Sequence, residues 1–253
     1  MDLDKARSLA EASVLPAGRE LNESRNQWAV SERVEGHDVK IAADHQAEAL
    51  IASLLHAGSG LSVFSEEAGW IGATADKTTV EPYWVLDPLD GSANYLRGVP
   101  LCCVSLALVK GIEPLLGVIY DFNRNELFTG IASKGAWLNG VPMTVSNIVR
   151  PDEALLTTGF PVAMDYESDA LREYVDAVRA FRKVRSLGTA ATMLAYVAAG
   201  RFDIYRERSV RFWDVAAGIA MVLGAGGQVR VENFDDDPAG KLDLTAYNGV
   251  LNL

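Results

Sequence analysis

The stretch at residues 84–92 constrains the fold of this chain more than any other. It reads Trp-Val-Leu-Asp-Pro-Leu-Asp-Gly-Ser, an apolar run that ends in two carboxylates separated by Pro88 and Leu89. The run from Tyr83 to Leu86 predicts a short buried strand. Because proline cannot donate to a strand ladder, we expect the chain to turn at Pro88. Such a turn can direct both acids and the Leu89 carbonyl toward one hard cation.

The residues just after this turn suit an anion. Gly91 permits close approach of the backbone to a ligand, and Ser92 can begin a helix whose first N–H groups face a negative charge. The whole stretch therefore indicates a Mg²⁺ site that handles a phosphate. The alternative is an ordinary Asp-Pro-x-Asp-Gly turn that only reverses the chain. Acidic residues elsewhere in the sequence have to decide between these two interpretations.

Bulk properties limit the class of protein. The chain has 253 residues, enough for one large domain or two packed halves. A formal charge of −11 argues against a nucleic-acid-binding surface and is compatible with a site whose metal ions supply positive charge locally. No apolar run reaches membrane-spanning length, so no membrane partner is expected.

Cysteine usage and the N-terminal sequence favour the cytoplasm. The two cysteines, Cys102 and Cys103, are adjacent in an apolar run and form no disulfide framework. They are expected to be small buried residues. The first five residues lack a secretion signal pattern, which also favours a cytoplasmic protein.

Hydrophobic periodicity gives a coarse map of the elements. A loop is expected over residues 22–38, and a boundary near 146–154 divides the chain into halves 1–145 and 146–253 that pack as one body. The first half would carry most metal ligands, and the second would complete the site.

The same pattern predicts the individual helices and strands. Helices are predicted over 6–17, 44–56 (with Gly58 just past its end), 169–181, 188–199 and 213–223. Strands are predicted over 61–64, 83–86, 102–109, 115–120, 155–159, 202–206 and 228–232.

Four acidic sites share one local context, since each lies where a strand ends or a helix begins. Individually they have simpler explanations: two are possible helix N-caps, and one is a possible exposed turn pair. A single shared metal cluster would satisfy all of them, because charged groups beside buried apolar runs need partners. The sites are Asp44, Glu66-Glu67, Asp87 with Asp90, and Asp214.

Taken together, these motifs resemble the inositol monophosphatase family in order and spacing. The resemblance covers roughly residues 40 to 227 and rests on Asp44, Ser-Glu-Glu at 65–67, residues 87–92, Gly-Thr-Ala-Ala at 188–191 and Trp-Asp-Val-Ala-Ala-Gly at 213–218. It implies an α+β fold, a layered αβαβα sandwich, and Mg²⁺-dependent hydrolysis of phosphate monoesters. Two or three Mg²⁺ ions are implied, with Mn²⁺ as a substitute, together with a homodimer and sensitivity to Li⁺.

The same resemblance implies roles for individual residues. The first metal would be held by Glu66, Asp87 and the Leu89 carbonyl, and the second by Asp87, Asp90 and Asp214. The implied catalytic residues are Asp44, Ser92 and Glu66, with the Ser92 hydroxyl and Asp44 positioning a water. The implied substrate contacts are Asp90, Gly91, Ser92, Gly188, Thr189, Ala190, Glu207 and Asp214; the backbone N–H groups of Gly91 and Ser92 would receive the phosphate, and Glu207 would accept a hydrogen bond from a sugar or cyclitol hydroxyl.

The chain departs from the family pattern at a few positions. Ser92 stands where Thr is usual, which keeps the hydroxyl with less rotamer restriction. Ala93 and Tyr95 vary a region often written Thr-Asn-Phe, and Gly224 replaces a common Glu. Substrate choice is expected to reside in Glu207, Arg185, Tyr95, Arg97 and the loop after Phe160.

The expected substrate is a small phosphorylated polyol or sugar, with inositol 1-phosphate as the default. Histidinol phosphate, fructose 1,6-bisphosphate and a 3′-phosphoadenosine nucleotide share the same metal chemistry and stay open. A hypothesis of a different class is a regulatory or scaffold protein on the same fold. The three histidines, His37, His45 and His56, form no zinc-ligand pattern.

Overall fold

The computed structural model describes residues 2–35, 38–72, 81–159 and 168–253. The helices in these ranges are α1 (Leu3–Glu23), α2 (Arg25–Trp28), α3 (Ala42–Ser59), α4 (Ser92–Leu96), α5 (Ser168–Ala180), α6 (Ala190–Ala198) and α7 (Phe212–Gly224), with a 3₁₀ turn at Pro151–Glu153. The strands are β1 (Ser31–Glu35), β2 (Asp38–Ile41), β3 (Val63–Ser65), β4 (Gly69–Ile71), β5 (Tyr83–Asp90), β6 (Cys103–Lys110), β7 (Glu113–Asp121), β8 (Glu126–Ile131), β9 (Gly135–Leu138), β10 (Val141–Met143), β11 (Leu155–Thr157), β12 (Lys183–Arg185), β13 (Ile204–Arg211), β14 (Gln228–Glu232) and β15 (Lys241–Tyr247).

The larger sheet belongs to the N-terminal part of the chain. Its eight strands lie in the order β10-β9-β8-β7-β6-β5-β3-β4. Neighbours are antiparallel except β3 and β5, which run parallel. The parallel pair places the ends of β3 and β5 at one edge of the sheet, so the acids that follow the two apolar runs lie side by side.

Strand β5 does not stop at Pro88, so the expectation of a turn there is wrong. The strand continues to Asp90, with a shift of register against β6 between Asp87 and Asp90. A β-bulge leaves its extra residues outside the ladder, so Pro88 loses no hydrogen bond by lacking an N–H group. The bulge also lets Asp87 and Asp90 both stay buried at the strand end.

The smaller sheet is mixed. Its five strands lie in the order β12-β11-β13-β15-β14. Strand β11 is parallel to both of its neighbours, while β15 is antiparallel to β13 and β14. Strand β13 runs directly into α7, so the N-terminus of that helix is fixed at the end of this sheet.

The helices and sheets stack in five layers. Helices α1 and α3 cover one face of the eight-stranded sheet with residues such as Val14 and Ile51. Helices α6 and α7 lie between the two sheets and form the central apolar core. Phe181, at the end of α5, packs on the outer face of the smaller sheet against Leu156 and Ile204. The predicted α+β fold and αβαβα order are therefore confirmed, while the division into halves 1–145 and 146–253 that pack as one body stays a prediction.

Two local expectations differ from the structure. Residues 22–38 hold the end of α1, helix α2 and strand β1, rather than one long loop. Helix α3 ends beyond Gly58, and Gly60 takes the left-handed conformation, with φ of 66°, that commonly closes a helix. Within the described ranges, none of the helices combines the length and apolarity needed to cross a bilayer.

Candidate active site

Three carboxylates from three elements meet at the end of β5. Oxygens of Glu66, Asp87 and Asp214 all lie within 4.8 Å of one another. Glu66 directly follows β3, and its N–H donates to the Leu86 carbonyl at 3.1 Å, which holds it beside Asp87. Asp214 lies in the first turn of α7, in the layer between the two sheets. We call Glu66, Asp87 and Asp214 the acidic cluster.

The acidic cluster holds like charges close together in a buried place. Burial raises the pKa of Asp87 well above its usual value, and the neighbouring charge of Glu66 raises it further. Burial likewise raises the pKa of Asp214, again with Glu66 as the next cause. Like charges held this close need a cation or protons. Hard carboxylate oxygens around one point suit a divalent cation such as Mg²⁺, so the residues present fit the ion that the family resemblance implies.

Asp90 is anchored to the second half of the chain through one oxygen. Its Oδ2 accepts from the Thr189 hydroxyl at 2.7 Å and from the Ala191 N–H at 2.6 Å, at the N-terminus of α6. Burial raises the pKa of Asp90 to about 6, and these hydrogen bonds work in the opposite direction. One carboxylate oxygen thus joins β5 to α6, which fixes the position of this side chain at the end of β5.

A second ring of side chains stands behind Asp90, and the sequence analysis missed it. Thr192 lies 2.9 Å from the Thr189 hydroxyl and donates to the Cys103 sulfur at 3.3 Å. Cys103 was expected only to be a small buried residue, and it is buried. The spacing Thr-x-x-Thr at the start of a predicted helix was the available indication that the Thr189 hydroxyl acts in a cap.

Ser92 and Asp44 form the predicted hydroxyl–carboxylate pair. The Ser92 Oγ lies 2.9 Å from Asp44 Oδ1 and 2.9 Å from the Leu89 carbonyl. Both of these oxygens can only accept, and a serine hydroxyl has one proton. The Ser92 proton therefore points toward Asp44 or Leu89, and its lone pairs stay available to a third group.

Asp44 and Asp214 occupy the same position in their helices, the third residue. Asp44 Oδ2 accepts from the Ile41 N–H at 2.9 Å, and Asp214 accepts from the Arg211 N–H. An acid at this position commonly satisfies a free N–H group at the helix start. The interpretation of both residues as helix-capping groups and their interpretation as site residues are therefore compatible, because a carboxylate has two oxygens.

Gly91 fits its position for two reasons. Its φ of 93° is a left-handed conformation, and a Cβ there would lie 2.8 Å from the Leu101 carbonyl. Helix α4 starts at the next residue, directly after the end of β5 that carries Asp87 and Asp90. Nearby, Asn94 donates to the Leu187 carbonyl at 2.8 Å and thereby holds the predicted substrate segment 188–190 against α4.

Glu207 is another acid close to this centre. It is half-buried on β13, and burial raises its pKa to about 7, with a contribution from the charge of Asp90. The Tyr205 hydroxyl donates to Glu207 Oε2 at 2.9 Å, and the Gly159 N–H donates to the same carboxylate. Tyr205 was missed from sequence, although alternation along a strand places residues 205 and 207 on one face.

The structure removes one predicted residue from the site and leaves others at its margin. Tyr95 is fully buried and its hydroxyl donates to the Leu21 carbonyl at 2.6 Å, so its expected role in substrate choice is wrong. Arg97 and Arg185 are exposed. The loop after Phe160 and His37 lie outside the described residues.

Comparison with known proteins agrees with this geometry. The model of the inositol monophosphatase family matches residues 2–249. Inositol-1-monophosphatase from Synechocystis is 36% identical over 263 residues, covering 99% of this chain and 87% of that protein. Nus factor SuhB from Xylella fastidiosa is 42% identical over 188 residues, which cover 74% of this chain and 66% of that protein.

A solved structure gives the same result for the fold. The extragenic suppressor protein suhB from Bartonella henselae superposes with a TM-score of 0.87 at 31% identity, covering 97% of this chain and 94% of that one. The predicted enzyme class, a phosphomonoesterase, is confirmed at the level of the family. Its motifs, its layered fold and these matches agree that the chain belongs to the inositol monophosphatase family.

Proposed function

We propose that this protein is a Mg²⁺-dependent phosphatase for the phosphate monoester of a small polyol or sugar, with inositol 1-phosphate as the first substrate to test. The observation that carries the proposal is the acidic cluster, in which Glu66, Asp87 and Asp214 offer oxygens within 4.8 Å of one another. A relative from Synechocystis bears the name inositol-1-monophosphatase.

We expect the cation ligands to be the donor atoms that the family resemblance assigns. Glu66, Asp87 and the Leu89 carbonyl would hold one Mg²⁺, and Asp87, Asp90 and Asp214 a second, with Mn²⁺ as a substitute. When bound there, these ions would neutralise the phosphate's charge and stabilise the leaving alkoxide. Asp90 is suited to this role because the start of α6 holds its Oδ2 in place.

The chain itself supplies the groups that handle the proton and the phosphate. The lone pairs of Ser92 can accept a hydrogen bond from an attacking water, and Asp44, 2.9 Å from Ser92 Oγ, can receive the proton. The N–H groups of Gly91 and Ser92, at the start of α4, can donate to phosphate oxygens. Gly188, Thr189, Ala190 and Glu207 would contact the leaving alcohol.

A panel of esters tests this proposal. Phosphate release would be measured with Mg²⁺ from inositol 1-phosphate, histidinol phosphate, fructose 1,6-bisphosphate and 3′-phosphoadenosine 5′-phosphate. We expect the highest kcat/KM with one of these esters and a loss of turnover in Asp87→Asn. Absence of phosphate release from all of them would refute the phosphatase proposal.

A regulatory role is a second candidate, favoured by the name Nus factor SuhB carried by a relative that is 42% identical. The two roles separate in one variant. Asp87→Asn should remove Mg²⁺-dependent turnover while leaving a partner interaction intact, as measured by co-purification of the variant and the wild type side by side. Loss of both properties in a folded variant would tie them to the same surface.

Three further properties complete the proposal. We expect inhibition by Li⁺, which an unchanged steady-state rate across a Li⁺ titration would contradict. We expect a homodimer, measurable by sedimentation. We expect a cytoplasmic location, in keeping with Cys102 and Cys103 being buried and free of a disulfide.

A further inference from the structure

Glu207 is fixed by two donors on neighbouring elements. The Tyr205 hydroxyl donates to Oε2 at 2.9 Å, and the Gly159 N–H donates from the end of β11. Tyr205 is fully buried, and its ring belongs to the central core with Phe212 and Leu244. A ring held by core packing cannot follow Glu207 if the carboxylate moves, so the hydroxyl defines one position for it.

Gly159 contributes by having no side chain. A Cβ at this position would collide with both carboxylate oxygens of Glu207 and with its Cδ. The backbone of β11 therefore approaches the carboxylate as closely as its own N–H group permits. Tyr205 and Gly159 together form what we call the Glu207 socket.

The Glu207 socket leaves a defined hydrogen-bonding capacity. An ionised carboxylate has about four acceptor positions and no donor. Tyr205 and Gly159 donate to two of these positions. Glu207 is half-buried, and its carboxylate interacts electrostatically with Asp90 and Asp214. A bound molecule next to the acidic cluster therefore meets a fixed acceptor, which favours a hydrogen-bond donor such as a hydroxyl at that point.

We infer that Tyr205 and Gly159 determine specificity by holding Glu207 as a fixed acceptor for a hydroxyl of the leaving alcohol. This inference rests on the proposed phosphatase function and adds the two groups that position Glu207. Tyr205 acts through Glu207, so it is a positioning residue. The favoured substrates are esters of polyols, and an ester whose alcohol has no further hydroxyl gains nothing from the socket.

Two esters and two variants test the inference. Inositol 1-phosphate has free hydroxyls on its leaving group, and phenyl phosphate has none. We expect Tyr205→Phe to lower kcat/KM for inositol 1-phosphate about tenfold, mainly through KM, because one hydrogen bond to a charged group is lost. The same change should alter kcat/KM for phenyl phosphate less than about twofold. Gly159→Ala should give the same selective loss by displacing the carboxylate.

Tyr83→Phe is the matched control. Tyr83 is also a buried tyrosine, and its hydroxyl donates to the Gly111 carbonyl at 2.8 Å, at the far end of β5 from the acids. Its removal should leave the ratio of kcat/KM for the two esters unchanged. The rise in Tm on adding Mg²⁺ should be the same in all variants and the wild type, which reports the cation site without reference to turnover.

Each other outcome overturns a stated claim. An equal fall for both esters in Tyr205→Phe would mean that Tyr205 supports the reacting centre or the fold, and the inference would be wrong. An unchanged ratio of the two esters in Tyr205→Phe and in Gly159→Ala would also reject it. Wild-type protein that releases phosphate from neither ester would instead refute the proposed function.

Discussion

At the scale of single residues, Asp44 and Asp90 each use a carboxylate oxygen to accept hydrogen bonds at the start of a helix. One oxygen of Asp44 accepts from Ile41 at a helix start, and the other faces Ser92. One oxygen of Asp90 accepts from Thr189 and the α6 backbone. These hydrogen bonds fix the rotamer of each carboxylate, so that both side chains are positioned before a ligand binds.

The first residue-scale prediction concerns the Ser92 hydroxyl. Ser92→Ala should lower kcat for inositol 1-phosphate about 100-fold, because the water loses its acceptor and its route to Asp44. Ser92→Thr keeps the hydroxyl and should retain most of the wild-type rate. The measurement is steady-state kcat at saturating Mg²⁺, with Tm as a check of folding. Equal rates for the alanine and threonine variants would contradict the role of the hydroxyl.

The second residue-scale prediction concerns Glu207 and pH. Burial raises the pKa of Glu207 to about 7, from an ordinary value of 4.5. A raised folded-state pKa gives stability that is fully present below pH 4.5 and is lost as the pH rises through 7. In metal-free protein, the unfolding free energy of wild type minus that of Glu207→Gln should therefore fall between pH 4.5 and pH 8, by up to about 3 kcal/mol.

Urea unfolding of both proteins over this pH range measures the difference, since glutamine has the same shape and does not titrate. A difference that stays constant would show that Glu207 is solvated in the folded protein. A difference that rises with pH would mean that an unrecognised cation stabilises its charged form.

At the scale of elements, the site depends on where strands end and helices begin. Strand β5 carries Asp87 and Asp90 on either side of its bulge, and helix α7 carries Asp214 in its first turn. The closeness of α7 to the larger sheet decides whether these acids meet. At Gly224, a Cβ would lie 2.5 Å from the Gly135 carbonyl and 2.8 Å from the Ile131 carbonyl. A side chain at residue 224 would therefore collide with the backbone of the larger sheet.

The element-scale prediction follows from that contact. Gly224→Ala gains helix propensity of up to about 1 kcal/mol but must push α7 away from two backbone carbonyls, at a cost of about 1–3 kcal/mol. The cost of the steric clash should exceed the gain in helix propensity, so the variant should be less stable than wild type by roughly 1–2 kcal/mol. Denaturant unfolding measures the change.

Gly58→Ala in α3 is the matched control for this prediction. Its new Cβ would meet only the end of the flexible Leu9 side chain, which can move. The control should be neutral or slightly stabilising, because the helix-propensity gain is then unopposed. Equal destabilisation by both changes would contradict the close approach of α7 to the larger sheet.

At the scale of the whole molecule, the site takes its acids from elements of both sheets. Asp87 belongs to the larger sheet, while Asp214 follows the smaller one, and α6 and α7 lie between them. In the metal-free protein, several buried acids have pKa values raised by burial and by one another. Protonated, these acids do not destabilise the folded protein, so its stability is highest below pH 3.8. Stability falls as the pH rises through the folded-state pKa values, about 6 for Asp90.

The molecule-scale prediction is that Mg²⁺ reverses this loss. At a concentration 100 times its Kd, a ligand that binds only the folded state stabilises it by about 2.7 kcal/mol. The rise in Tm on adding Mg²⁺ should be larger at pH 8 than at pH 5, where protons compete for the same carboxylates. Differential scanning fluorimetry with and without EDTA measures it.

Asp87→Asn is the control for the molecule-scale prediction. It removes one of the repelling charges, so the metal-free variant should be more stable than wild type at pH 8 and should show little response to Mg²⁺. An undiminished Tm response in this variant would place the cation elsewhere.

The acids of the site were predictable from sequence because each lies beside a local pattern. Glu66, Asp87 and Asp214 follow an apolar run or start a helix, and these patterns are readable without tertiary contacts. Tyr205 and Cys103 were not assigned roles, because an apolar or aromatic residue in a buried strand looks the same whether or not its polar atom faces a ligand. The course of β5 through Pro88 was also missed, since a bulge depends on the partner strand.

The sequence by itself determined the elements, the kinds of donor atom and the family, because these depend on short-range patterns and residue chemistry. Only the tertiary structure decided that Asp90 accepts a hydrogen bond from the start of α6 and that Ser92 lies between Asp44 and Leu89. The same holds for the hydrogen bond from Tyr205 to Glu207. Those facts join residues that are two to more than a hundred positions apart. Their geometry follows from how the two sheets pack around α6 and α7, which no local pattern encodes.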